Sequence, residues 1–238
     1  NVWDKIAERL PVTLQLNLIS IFLVYLIAIP CGVYSATRPE SVPDRLITLF
    51  FFFLYSLPSF WVAVLLIMLF GGGDFWDLFP VYGISSVGAE NLPFWRWVAD
   101  RAWHLILPVV CLTYGGLAYL SRLTRANMLE VIREDYVRTA RAKGLSERVV
   151  IFKHAFRNAL LPIVTLLAFL LPSMFGGSVI IESIFSIPGM GQLGFEAVLS
   201  RDYPVIMAIT TISALLTLAG LLVSDILYAA LDPRIKLG

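Results

Sequence analysis

Residues 203–224 read YPVIMAITTISALLTLAGLLVS, with no Asp, Glu, Lys or Arg among them. A hydrocarbon core of about 30 Å is crossed by about 20 helical residues rising about 1.5 Å each. This run is therefore long enough to cross a bilayer. It lacks the polar–apolar alternation that a membrane barrel strand requires. In lipid every backbone N–H and C=O must find its partner inside the protein, which leaves the helix as the solution.

Four more stretches have the same character: Leu10–Thr37, Leu46–Ser59 continuing to Phe70–Gly73, His104–Ser121 and Asn158–Ile181. The His104 stretch is short, but Trp103 can anchor its outer end and Arg122 can snorkel at its inner end. Composition agrees: of 238 residues, 58% are hydrophobic and only 15% charged, and mean hydropathy is +0.81. A soluble domain carries nearer a quarter charged residues. The expected fold is an all-α membrane protein with five transmembrane helices, residues 1–238 forming a single transmembrane domain. Pro30, Pro58, Pro108, Pro162 and Pro172 fall within the spans, where each removes a backbone donor and bends a helix.

The basic residues give the orientation. Segments 38–45, 122–157 and 232–238 hold thirteen Lys and Arg, and the alternating segments 1–9, 74–101 and 182–202 hold five. The positive-inside rule puts the first set, and the C-terminus, in the cytoplasm. Asn1 is then outside, and since residues 1–9 have no apolar leader, a preceding transmembrane helix is expected to belong to the protein. Cys31 and Cys111 lie in apolar runs and read as small buried hydrophobes, with no metal or disulfide pattern.

The outer loops differ in kind. Segment 74–103 holds Trp76, Trp95, Trp97 and Trp103 with Phe75, Phe79 and Tyr82 between them, which suits a loop in the membrane interface. Segment 182–204 has a turn signal at Pro188-Gly189-Met190-Gly191, then a short amphipathic helix around Leu193–Leu199. It reads as either a lid or a connector. Glu182, Pro188, Gly189 and Gly191 are its candidate outer-gate residues, although Glu182 taken alone reads as interfacial. Asn17, Ser20, Ser56, Ser59 and Ser173 are polar within spans and are candidates to line a pathway, with helix–helix hydrogen bonds as the plainer reading.

The inner segment 122–157 carries nine of the eighteen basic residues. It reads as helix, turn, helix. Residues 127–143 lack Gly and Pro, Gly144 supplies the left-handed residue that ends a helix, and Ser146 is placed as the next N-cap with Glu147 in the first turn. A short helix with small residues (Ala140, Ala142) among basic arms (Arg138, Arg141, Lys143) fits a groove on another protein. It equally fits a solvated loop that fixes topology, or one resting on anionic lipid.

The run Asp135-Tyr136-Val137-Arg138-Thr139-Ala140-Arg141-Ala142-Lys143-Gly144-Leu145-Ser146, followed by Lys153-His154-Ala155-Phe156-Arg157-Asn158-Ala159-Leu160-Leu161-Pro162, resembles the cytoplasmic signature loop of binding-protein-dependent ABC importer permeases. More narrowly it is similar to the dipeptide/oligopeptide/nickel subfamily, first permease subunit, microcin/oligopeptide type. Leu10-Pro11-Val12-Thr13-Leu14, Ser56-Leu57-Pro58-Ser59-Phe60, the run from Glu182 to Gly191, Arg201-Asp202-Tyr203-Pro204-Val205 and Asp232-Pro233-Arg234 extend the likeness over nearly the whole chain. Where the general signature has Glu-Ala-Ala this chain has Arg138-Thr139-Ala140, so only Ala140 and Gly144 match it strictly.

The resemblance implies a type I importer permease in a bacterial inner membrane, one half of a heterodimeric pathway for di- or oligopeptides, or for nickel chelates, glutathione or another small solute. It implies as partners a second permease subunit, two cytosolic ATP-binding subunits and an extracytoplasmic substrate-binding protein, in contact with membrane lipid and without nucleic acid. Tyr136, Arg138, Thr139, Ala140, Arg141, Ala142, Lys143, Gly144 and Leu145 would dock on the ATPase as a coupling helix. No cofactor is expected on this chain: GxxxxGK[ST] does not occur, and ATP and Mg would sit on the partner subunits. An intramembrane enzyme or an ion channel is the remote alternative, lacking GxSxG, HExxH or a TVGYG filter.

Overall fold

The computed structural model describes residues 1–72, 75–166 and 170–231. Gly73, Asp74, Asp232-Pro233-Arg234, Lys236 and the C-terminal residue fall outside these. The described residues are helices and connections. In chain order they are α1 (Val2–Thr37), α2 (Val42–Ser56), α3 (Ser59–Phe70), a 3-10 turn (Ala89–Asn91), α4 (Phe94–Ile132), α5 (Asp135–Ala142) and α6 (Glu147–Val149). A π-helical turn (Val150–Ala155) follows, then α7 (Phe156–Ala159), α8 (Leu161–Leu166), α9 (Leu170–Gly176), α10 (Val179–Ile184), α11 (Met190–Leu199) and α12 (Tyr203–Leu231).

Among the described residues, three helices are each long and apolar enough to cross a membrane: Val2–Thr37, Phe94–Ile132 and the Tyr203–Ile226 part of α12. The pair α2 and α3 passes the same test together. The described part of the 46–73 stretch is thus two helices broken at Leu57-Pro58, not one. Pro58 takes an extended backbone at φ −63° and ψ 137° and caps α3 without a side-chain bond. The carbonyl of Leu57, left without a helical partner, accepts the Tyr114 hydroxyl at 2.9 Å, as lipid burial demands. Within 158–181 the described helix is interrupted at Leu160, two residues before Pro162, and at Gly177-Ser178, where Gly177 stands at φ +64°. The His104–Ser121 span belongs to a much longer helix that already begins at Phe94, so the last part of loop 74–103 is helical.

Local chemistry sets the ends. Pro39 follows Arg38 and stops α1. Ser41 caps α2, its hydroxyl accepting the Asp44 N–H at 3.3 Å. Asp202 caps α12, Oδ1 accepting the Val205 N–H at 3.3 Å, with Pro204 in the first turn.

By contacts the chain divides into two compact units. The first comprises the described residues among 1–22, 56–115 and 172–216. Its core gathers Ile6, Phe175, Met190, Leu193, Ala197 and Val205. The second comprises those among 23–55, 116–171 and 217–238. Its core joins Val33, Met128, Val137, Val150, Ile151 and Ala155, with a second cluster around Ala28, Phe51, Leu117 and Leu120. In this second unit α1 and α4 approach closely: a Cβ on Gly32 would lie 2.6 Å from the Ser121 carbonyl oxygen and from Thr124, and one on Gly116 would lie 3.0 Å from Val24. Small residues allow such contact where lipid supplies no hydrophobic drive between helices. Outward, Phe22, Phe53, Leu215 and Leu218 are exposed, as lipid-facing side chains are.

Candidate functional site

The basic hairpin lies in the second unit. The sequence suggests one helix over 127–143, but α4 ends at Ile132 and α5 starts at Asp135. Glu134 between them is extended (φ −65°, ψ 147°), and its carbonyl accepts the N–H groups of Val137 and Arg138. The break turns Val137 (0% exposed) and Ala140 (5%) into the core. Burying a valine side chain is worth about 1.5–3 kcal/mol, so this face holds the hairpin in place. Ala140 is therefore spent on internal packing, whereas Tyr136, Arg138, Thr139, Arg141, Ala142, Lys143, Gly144 and Leu145 lie on the exposed side.

The turn is made as its composition predicts in one respect and differently in another. Gly144 sits at φ +75°, with open space where a Cβ would be, so only conformation requires glycine there. Ser146 occupies the N-cap position of α6, but its hydroxyl makes no capping bond. The Glu147 carboxylate instead meets Arg141, which donates from Nη2 at 2.7 Å and Nε at 3.2 Å. This forked pair holds Glu147 below the usual carboxylate range and raises Arg141. The Arg138–Asp135 contact, at 3.4 Å between exposed groups, contributes little. Asn158 donates to the Tyr136 hydroxyl at 2.7 Å and ties α5 to α7. Between these, Val150–Ala155 is π-helical, a rare geometry that recurs at functional positions.

Sequence reading missed a second anchor of this unit. Arg125 donates to both oxygens of Asp44, Nε to Oδ1 and Nη2 to Oδ2, each at 2.9 Å, and the Glu40 N–H adds a third bond at 2.9 Å. Asp44 is the one acidic residue of segment 38–45 besides Glu40, which was the only available signal.

In the first unit the connection 182–204 is built around Glu182. Glu182 is 1% exposed. Its Oε1 accepts the Thr13 hydroxyl at 3.1 Å and the Ser178 N–H at 3.2 Å, and its Oε2 accepts the Gln192 N–H at 2.8 Å. The Thr13 hydroxyl oxygen in turn accepts the Met190 N–H at 2.7 Å. Gly189 is extended, at φ −109° and ψ −177°, so the turn does not need a left-handed residue there. A Cβ on Gly177 or Gly189 would instead collide with the Glu182 carboxylate, and one on Gly191 would sit 2.7 Å from the Val179 nitrogen and 3.0 Å from Glu182 Oε2. These glycines let the backbone close around the carboxylate. Pro188 is half-buried beside them.

Of the five polar span residues, the structure brings Asn17 and Ser173 together. Asn17 donates to the carbonyls of Ser173 and Met174 at 3.1 and 3.0 Å, which is the helix–helix bond of the plainer reading. Ser20 is buried, Ser56 and Ser173 are exposed, and Ser59 is half-buried. Among the described residues no three His, Cys, Asp or Glu side chains come together as a metal site.

Among the described residues, apolar helices long enough to cross a membrane occur together with a basic hairpin seated by Val137 and Ala140. The chain belongs to the family of binding-protein-dependent transport system inner membrane components, whose pattern matches residues 28–237. It is similar to the oligopeptide transport system permease protein AppB of Bacillus subtilis (strain 168), 48% identical over 99% of this chain and 72% of that protein. It is also similar to the inner membrane ABC transporter permease protein YejB of Escherichia coli O157:H7, 42% identical over 99% of this chain and 65% of that one. The dipeptide transport system permease protein DppB of B. subtilis is 37% identical over 100% of this chain and 71% of its own length. Among solved structures, a chain of the MetNI methionine ABC transporter in an inward-facing conformation superposes with a TM-score of 0.66, covering 96% of each chain. At 19% identity that likeness concerns the fold alone, which is the type I importer permease fold. The chain is a permease subunit of a binding-protein-dependent importer, a class that works in general with a partner permease, an ATPase and a substrate-binding protein.

Proposed function

We propose that this chain forms half of the pathway of an ATP-driven importer of di- or oligopeptides, paired with a second, different permease subunit. Two cytosolic ATPases carry ATP and Mg, and an extracytoplasmic binding protein delivers substrate. The peptide assignment rests on similarity to permeases named for oligopeptide and dipeptide transport. The C-terminus and segment 122–157 are cytoplasmic in this reading, which the excess of Lys and Arg in the inner segments supports.

One observation carries the mechanism: α5 is fixed by its buried Val137 and Ala140 while Tyr136, Arg138, Ala142 and Lys143 are left exposed. A helix held on one face and open on the other transmits displacement without unfolding. Closure of the ATPases displaces α5, and the permease moves between inward- and outward-open states. At the outer side, Glu182, Pro188, Gly189 and Gly191 act as a gate element that moves as one piece, because the Glu182 carboxylate binds the α11 start to α1 through Thr13.

The test is uptake of labelled dipeptides and oligopeptides by the complete transporter in proteoliposomes, with and without ATP. ATP-dependent peptide uptake that fails in an Arg138→Glu/Lys143→Glu variant is expected. Uptake of a nickel chelate but of no peptide would overturn the substrate assignment.

A further inference from the structure

Within the second unit a groove of about 720 Å³ opens between the end of α1 and the segment that starts at α6. Its floor is apolar, formed by Ile29, Val33, Ile151, Phe152 and Phe156. Its lining turns charged where each segment leaves its apolar run, at Arg38 on one side and Glu147-Arg148 on the other. The acidic member is already neutralised, since Glu147 pairs with Arg141 at 2.7 Å. Arg38 donates to the Tyr34 hydroxyl at 3.1 Å and lies over that ring, and among the described residues neither Arg38 nor Arg148 pairs with a carboxylate. Within that lining Phe152 is 57% exposed.

We infer that this groove binds an anionic phospholipid, with the phosphate between Arg38 and Arg148 and an acyl chain along Ile29, Phe152 and Phe156. The charge pattern selects this occupant. A wholly apolar helix from another subunit would cover the floor and leave two guanidinium groups facing a low-dielectric surface, at a high desolvation cost. A phosphate satisfies planar, five-donor guanidinium groups in forked geometry, and a basic pocket between membrane helices is where anionic headgroups settle. The chain of the same molecule removes the apolar floor from water. The inference goes beyond the transport reading and stands whatever the substrate is.

The complete transporter, purified in detergent, is titrated with phosphatidylglycerol and with phosphatidylcholine and lipid retention is read by native mass spectrometry. The permease is expected to retain phosphatidylglycerol preferentially. Arg38→Gln/Arg148→Gln should weaken that retention by about 10-fold or more and erase the headgroup preference, two cationic contacts being lost. Ile29→Trp, at a half-buried lining position, narrows the apolar part and leaves the charges; it should weaken both lipids, so the assignment does not hang on one variant. Equal retention of the two lipids by the unaltered protein overturns it, as does displacement of phosphatidylglycerol by millimolar inorganic phosphate. A photo-crosslinker at position 152 that labels the second permease or an ATPase in place of lipid also overturns it.

Discussion

The Thr13 hydroxyl donates to Glu182 Oε1 at 3.1 Å and accepts the Met190 N–H at 2.7 Å, so one side chain of α1 joins the buried carboxylate to the first residue of α11. Its consequence is that the connection between α10 and α11 cannot loosen at one point only. Glu182→Gln keeps the shape but points an NH2 group at an N–H donor. It should lower stability by about 1–3 kcal/mol, the cost of an unsatisfied buried polar group, read as a fall in the unfolding midpoint of the purified transporter.

The glycines around that carboxylate should rank by the space they guard. Gly189→Ala drives a methyl group into Glu182 and should destabilise by about 1–3 kcal/mol as overpacking does. Gly115→Ala in α4 meets no atom within 4 Å and should be neutral or slightly stabilising. Equal effects of the two in thermal unfolding would refute the close-approach explanation.

Asp44 and Arg125 should be energetically coupled. The Asp44 side chain is 4% exposed and that of Arg125 31%, so solvent screens the pair only partly. A double-mutant cycle of Asp44→Asn and Arg125→Gln should give a coupling of about 1–3 kcal/mol. A value near zero would mean that α2 is held by its Ser41 cap and apolar packing alone.

The Arg141–Glu147 pair sets a pH dependence for the hairpin. Arg141 holds Glu147 below the ordinary carboxylate value. The stability it gives is therefore complete above that ordinary value and is lost as pH falls through the depressed one. Hydrogen-exchange protection factors for residues 138–150 should drop at acid pH in the unaltered protein. In Arg141→Gln, protection should already be reduced at neutral pH and should change less on acidification.

Much of this was legible in the sequence. Uncharged runs such as 203–224 disclosed the helices because charge is so costly in lipid, and Gly144 disclosed the turn because few other residues accept φ +75°. The surroundings of Glu182 were not legible, because a lone carboxylate at the end of an apolar run does not disclose its burial and its partner Thr13 lies 169 positions away. Its remaining donors are backbone N–H groups, which no residue type announces. The Arg125–Asp44 bonds, spanning 81 positions, escaped for the same reason. The break at Arg133-Glu134 has no Gly or Pro to mark it; tertiary burial of Val137 and Ala140 overrides a helical propensity that would have carried α4 onward.

The decisive measurement is a photo-crosslinker at position 142 in the assembled transporter, since Ala142 lies on the exposed side of α5 while Ala140 is buried two residues before it. Docking of this hairpin predicts an adduct with an ATP-hydrolysing subunit whose yield changes on ATP binding, and a crosslinker at position 140 that stays within the permease. An adduct at 142 with the extracytoplasmic binding protein, or none with any ATPase in a transporter that still imports, would contradict it.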